Sequence, residues 1–164
     1  MLYRPMKSAE ALEYRKIRLE SLMLFPESFS ANYDEMKLKP KLLFEQYIEQ
    51  EQVASFVMGA YDSENLIGII SFSDTNEYTL PNTGTFIQMY VKLEYQGKGI
   101  GLDLTKTALE QALAITDIRN VVLEVKMENM SAIVTYQRAG FSTYELPERP
   151  ANGLLLMSYP AKLK

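Results

Sequence analysis

The chain has 164 residues, 47% of them hydrophobic, which is one domain's worth of polypeptide with enough apolar side chains for a core, so residues 1–164 are read as a single domain. Its formal net charge is −4 and it has no run of Lys or Arg, so neither nucleic acid nor an anionic membrane is expected as a partner. Cysteine and histidine are both absent; this excludes disulfides, thiolate nucleophiles and the usual zinc ligands, and leaves Glu, Asp, Tyr and Lys as the groups able to move protons, with no metal expected.

No basic segment followed by an apolar stretch opens the chain, and no apolar run approaches ~18 residues, so a cytoplasmic protein is expected. Residues 2–6 read as a short strand. Ser8, followed by Ala9 and Glu10, is placed as the cap of a helix running to about Leu24. On that helix Glu13, Lys16 and Glu20 share a narrow polar face, and Ala11, Tyr14, Ile17, Leu22 and Phe25 spread over the other side. Arg15 and Arg18 fall on the apolar side. Either their stems snorkel and their heads meet carboxylates or carbonyls at the core edge, or a guanidinium faces a cleft and binds a carboxylate there. Phe25-Pro26-Glu27-Ser28-Phe29 breaks the helix. Pro40 is placed in the first turn of a second helix, with Leu43, Phe44, Tyr47 and Ile48 as its apolar stripe.

Residues 53–61 and 66–73 are β-rich runs joined by the turn residues Asp62-Ser63-Glu64-Asn65, a hairpin. A loop over 74–84 leads into a strand over 85–92, which alternates Phe86, Gln88 and Tyr90 with Ile87, Met89 and Val91. Bulk on both faces marks a central strand. It feeds Gln96-Gly97-Lys98-Gly99-Ile100-Gly101, where three glycines in five residues leave the backbone bare at a helix N-terminus. Bare N–H groups, the positive end of the helix dipole and Lys98 suit phosphate oxygens, and a pyrophosphate is the expected ligand. The spacing fits neither G-x-x-x-x-G-K-[ST] nor a dinucleotide G-x-G-x-x-G placed directly after its strand. In the helix that follows, Ile100, Leu104, Ala108, Ala112 and Ile115 form a stripe to lay on a sheet. Residues 120–126 are the next strand and 130–138 a short helix. Residues 141–145 and 154–159 are a closing pair around a Pro-rich loop over 146–153.

Gln96-x-x-Gly99-x-Gly101 resembles the coenzyme A loop, Q/R-x-x-G-x-G/A, of the GCN5-related N-acetyltransferase (GNAT) family. Downstream, the strand at Leu123-Glu124-Val125, then Asn129-x-x-Ala132-x-x-x-Tyr136, then Gly140-Phe141, is similar to the family's strand, N-x-x-A-x-x-x-Y and G-F in order and distance. The order βααβββαβαββ agrees with the family's α/β fold, a mixed, twisted sheet flanked by helices. The resemblance implies acetyl-CoA as co-substrate and direct transfer of acetyl to a primary amine. It also implies that the N–H groups of Gly97, Lys98, Gly99, Ile100 and Gly101 take the pyrophosphate beside Gln96, and that the edge of Met89, Tyr90 and Val91 pairs with pantetheine. A bulge near Met89 to Val91 would free an N–H to polarise the thioester carbonyl.

In the family's pattern Tyr136 is the general acid and Asn129 bonds the pantetheine arm; the alternatives are a core tyrosine and a plain helix cap. The family's helix-loop-helix region walls the acceptor site, so the stripe at 43–48 either lines that pocket or packs in the core. Many members carry a Glu early in the strand before the glycine loop, where this chain reads Thr85-Phe86-Ile87-Gln88. Glu124 is the replacement, because Leu123-Glu124-Val125 is similar to the ribosomal-protein alanine acetyltransferases with a base at this place; the alternative is a solvated strand residue. The expected acceptor is a small-molecule amine or amino acid, its carboxylate held by Arg15 or Arg18. A peptide N-terminus as acceptor, a non-catalytic acyl-CoA sensor, and a homodimer stay open.

Overall fold

The computed structural model of the protein describes residues 1–146 and 153–164. Among the described residues one mixed sheet of seven strands has the order β1-β2-β3-β4-β5-β7-β6. The strands are β1 (Leu2–Pro5), β2 (Phe56–Asp62), β3 (Asn65–Ser73), β4 (Thr83–Val91), β5 (Asn120–Lys126), β6 (Ser142–Thr143) and β7 (Leu154–Tyr159). All neighbours are antiparallel except β4 and β5. The helices are α1 (Ala11–Leu24), α2 (Tyr33–Met36), α3 (Leu43–Glu49), α4 (Ile100–Leu113) and α5 (Met130–Arg138).

Strand alternation gives the sheet two apolar faces, and each is covered. Tyr14 and Ile17 of α1 and Phe44 and Ile48 of α3 pack with Val57, Ile69 and Tyr90 on one side. On the other, Ile100, Leu104, Ala108 and Ala112 of α4 and Ile133 and Tyr136 of α5 pack with Met58, Ile70, Phe86 and Leu123. The stripe expected on α4 is therefore buried as read, with Ile115 just beyond the helix end and partly buried.

Three local expectations are corrected. Ser8 is not the cap of α1: it lies in a 3₁₀ turn, Ser8–Glu10, and the Glu10 carboxylate accepts the Lys7 N–H at 2.7 Å. Pro40 lies outside the second long helix, which begins at Leu43 because the Glu45 carboxylate folds back onto the Leu42 N–H at 2.9 Å. A one-turn helix, α2, precedes it with Asn32 as its cap, so the order is βαααβββαβαββ. Finally, the even alternation of β4 fails at Gln88, whose φ of 61° makes a bulge. Pairing passes from Ile69↔Tyr90 to Ser71↔Ile87. Phe86 consequently joins Met89 and Val91 on the α4 face, while Gln88 and Tyr90 turn towards α1. The Pro-rich loop falls, apart from its ends, outside the described residues.

Glu10 ties the first elements together. It accepts from the Arg4 guanidinium at 2.7 and 2.9 Å, from the Lys7 N–H and from the Tyr61 hydroxyl at 3.1 Å. The Arg4 bonds foremost, against a smaller cost of burial, hold its carboxyl down to about 2. A carboxyl lowered on folding stabilises the native state above its unfolded value, and that contribution is lost as pH falls through the folded one. Urea denaturation between pH 5 and pH 2 is expected to show a stability loss that Glu10→Gln makes shallower, the variant being the less stable protein at pH 7.

Candidate active site

β4 and β5 run side by side only from Thr83↔Asn120 to Phe86↔Leu123. Beyond that pair β4 stays with β3 and β5 stays with β7, so a wedge opens between them. The bulge at Gln88 sits where the strands part. Its Oε1 accepts from the Tyr14 hydroxyl at 2.7 Å and from Ser71 Oγ at 3.0 Å, which fixes the bulged residue to α1 and β3. From Ile87 to Val91 the edge of β4 facing β5 has no strand beside it among the described residues, so the backbone groups on that edge, apart from the Val91 carbonyl, are available to an extended ligand.

The glycine turn closes one end of the wedge. Gly97 and Gly99 have φ of 74° and 81°, a region that side chains with a Cβ rarely adopt. Gly99 is the N-cap of α4. The Gln96 N–H bonds the Leu93 carbonyl at 3.2 Å and the Asp103 N–H bonds the Gly99 carbonyl at 3.1 Å; between them the N–H groups have no backbone acceptor among the described residues. The Gln96 amide donates to the Val91 carbonyl at 2.8 Å and so clamps the turn to the end of β4. The Lys98 ammonium lies 5.4 Å over the Tyr95 ring, and Tyr95 in turn donates to Asp62.

α5 forms the opposite wall. Asn129 caps it, accepting the Ala132 N–H at 3.3 Å. Tyr136 is 8% exposed and packs edge-on to Phe141 at 6.1 Å. Its hydroxyl has no hydrogen-bond partner among the described residues, yet no buried polar side-chain atom is left unsatisfied there, so the hydroxyl opens into the wedge. Burial pushes this phenol up, and it stays protonated over the physiological range. Glu124 projects from β5 and accepts a hydrogen bond from the Tyr78 hydroxyl.

These groups surround one cavity of about 710 Å³. The expected Met89, Tyr90, Val91, Gln96, Gly97, Gly99, Ile100, Gly101, Asn129, Glu124 and Tyr136 all line it, whereas Lys98, Arg15 and Arg18 do not. Arg15 is bound to Glu45 at 2.9 Å and to the carbonyls of Lys37 and Lys39 at 3.2 and 2.6 Å. Arg18 is buried 4.7 Å over the Phe29 ring, with Ser21 Oγ at 3.5 Å. Of the α3 stripe, Phe44 and Ile48 pack in the core with Tyr47 partly buried against them, while Leu43 is exposed; it is Phe25, Ser28 and Phe29, in the loop of the helix-loop-helix region, that wall the cavity. Pro26 signalled the turn but not what the turn faces. Nothing local marks Tyr78, whose partner is 46 positions away.

A wedge between β4 and β5 closed by a glycine turn on a helix N-terminus is a shape that comparison with known proteins can test. Residues 17–141 match the family model described as the acetyltransferase (GNAT) family. The chain belongs to the GNAT family. It is 29% identical over 106 residues to N-alpha-acetyltransferase 30 of Schizosaccharomyces pombe, covering 64% of this chain and 68% of that protein. Curated relatives among the bacterial spermidine and spermine acetyltransferases are 26% to 30% identical, and the chain spans only 43% to 57% of their length. A GNAT-family acetyltransferase from Streptococcus pneumoniae superimposes with a TM-score of 0.74 at 21% identity, over 99% of both chains. The spermidine N-acetyltransferase of Vibrio cholerae, solved with CoA and spermine, gives 0.64 at 22% identity over 96% and 93% of the two chains. Among the described residues no three or more His, Cys, Asp or Glu side chains are grouped to hold a metal ion, and no helix is long and apolar enough to cross a membrane.

As the N-cap of the helix that opens this GNAT loop, Gly99 is required by conformation rather than by space, since a Cβ there would meet nothing within 4 Å. Gly99→Ala is expected to force about 1–2 kcal/mol of left-handed strain or reshape the turn. Acetyl-CoA binding measured by calorimetry should weaken by about 5- to 30-fold.

Proposed function

We propose that the protein transfers acetyl from acetyl-CoA directly to the primary amine of a small molecule or amino acid. The observation that carries this reading is that the Tyr136 hydroxyl, the Glu124 carboxylate and the bare N–H groups of the glycine turn open on one cavity. The turn would hold the pyrophosphate and the free β4 edge the pantetheine amides. An N–H released at the Gln88 bulge would bond the thioester oxygen as it gains charge. Glu124, directly or through one water, would take the proton from the amine as nitrogen bonds to the acetyl carbon. As the carbon–sulfur bond breaks, Tyr136 would donate its O–H to the sulfur. A phenol raised by burial is a reluctant proton source, so its main contribution is a hydrogen bond to the forming thiolate.

The acceptor end of the cavity supports a compact amine. Phe25, Phe29, Phe86 and Ile87 make it apolar, and Glu124 is the one carboxylate among the described lining residues. A polyamine would be better matched by several carboxylates. Arg15 is committed to Glu45 and to carbonyls, so a carboxylate on the acceptor would have to meet Arg18 from behind Phe29. A second reading, a peptide N-terminus as acceptor, is favoured by the place of Glu124 on β5 and by the N-alpha-acetyltransferase relative.

Thiol release from acetyl-CoA, measured with 2-phenylethylamine, free amino acids, spermidine and short peptides, tests these readings. Turnover is expected with the first two classes; a preference for peptides by tenfold or more in kcat/KM would select the second reading. Tyr136→Phe should lower kcat by about 10²-fold, and a value within twofold of the parent removes Tyr136 from the chemistry. Glu124→Gln should abolish the acidic limb of the pH–rate profile, because that limb reports protonation of the base.

A further inference from the structure

Glu124 is exposed on its strand, and its carboxylate is joined by a flexible stem. A base with that freedom would be poorly aimed. The hydroxyl of Tyr78 removes the freedom: it donates to Glu124 Oε1 from the connection between β3 and β4, while Oε2 receives no donor among the described residues.

That connection is built to hold the tyrosine in place. Asn76 bonds four backbone groups within it: its Nδ2 donates to the carbonyls of Leu80 and Thr83, each at 2.9 Å, and its Oδ1 accepts the N–H groups of Tyr78 at 3.1 Å and Leu80 at 2.9 Å. Ser55 and Asp74 exchange hydrogen bonds of 3.0 and 3.2 Å at its start, and Thr85 Oγ1 reaches back to the Thr75 carbonyl at 2.8 Å. The N–H of Tyr78 is thus held by Asn76 within a loop that is itself tied at both ends.

We propose that Tyr78 is a positioning residue that grips one oxygen of Glu124 and leaves the other turned to the acceptor amine. The proposal rests on the reading of Glu124 as the base. An O–H donated to a carboxylate is a charge-assisted bond, short and directional enough to fix the orientation of its acceptor. Burial first, then the hydrogen bond to Glu124 and the charge of that carboxylate, push the Tyr78 phenol up, so it remains a donor throughout. Glu77 lies beside it with the same sign of effect. The other titratable groups on the cavity wall are Lys126, Tyr136, Arg138, Tyr90 and Tyr95.

Carboxyl-carbon NMR of the full chain labelled at glutamate side chains reads the pair without any substrate, with Glu124→Gln identifying the resonance. Tyr78→Phe is expected to move the Glu124 carboxyl-carbon resonance at pH 7, because the donor to Oε1 is gone; an unmoved resonance overturns the proposal and leaves Glu124 free to be the base. In acetyl transfer from acetyl-CoA to 2-phenylethylamine, Tyr78→Phe should lower kcat by about tenfold, with KM for acetyl-CoA unchanged. In the Glu124→Gln background it should change kcat less than twofold, because both substitutions remove one device. A further tenfold loss in the double variant would show that Tyr78 acts elsewhere and would overturn the proposal. If Glu124→Gln alone leaves the acidic limb intact, the base assignment falls and the positioning role falls with it.

Discussion

The parting of β4 from β5 is the constraint on which the rest of the site depends. Two parallel strands that stayed paired would seal their edges with ladder hydrogen bonds and leave nothing for a ligand to read. Here the ladder ends at Phe86↔Leu123, and the bulge at Gln88 turns β4 away without breaking its bond to β3. A backbone kept in a left-handed conformation at a glutamine costs of the order of 1–3 kcal/mol, and the hydrogen bonds from Tyr14 and Ser71 oppose its relaxation. The near end of the wedge is fixed in its turn: Asn120, buried, bonds Thr83 across the two strands and the backbone of Lys164.

Charge within the N-terminal half serves mainly to hold elements together. Arg4 with Glu10 joins β1 to the entry of α1, and Arg15 with Glu45 joins α1 to the first turn of α3. Both pairs are partly buried and each carboxylate also closes a helix entry by accepting a backbone N–H, so that cutting either would release more than one contact. Arg18 differs in having no carboxylate beside it among the described residues; the face of Phe29 covers its guanidinium.

What could be read from the sequence was what is written locally. The glycine turn, the α4 stripe, β5 and α5 depend on spacing within one element, and each lies where its residues indicated. The Asn129-to-Tyr136 interval was legible for the same reason. The bulge was expected from the resemblance alone, near Met89 to Val91, and lies one residue earlier at Gln88, where neither glycine nor proline marks it; that left-handed residue reversed the expected facing of Phe86. Helix starts at Ser8 and Pro40 were misplaced because glutamates three positions into each turn, Glu10 and Glu45, did the capping. Tyr78 and the wall of Phe25 and Phe29 join segments far apart in the chain, and no pattern of residue types records such a meeting.

One property of the wedge bears on how such a protein can change. On the proposed reading, the side that would meet the donor offers mainly main-chain groups, the N–H groups of the glycine turn and the edge of β4, whereas the side that would meet the acceptor offers side chains such as Phe25, Phe29, Ile87 and Glu124. Main-chain atoms are common to every residue, so substitution along β4 can proceed with little effect on their hydrogen bonds as long as the turn keeps its shape. Each substitution on the acceptor side alters the surface that an amine meets. On that reading, drift in sequence would act unequally on the two substrates, preserving the carrier while opening the choice of what is modified.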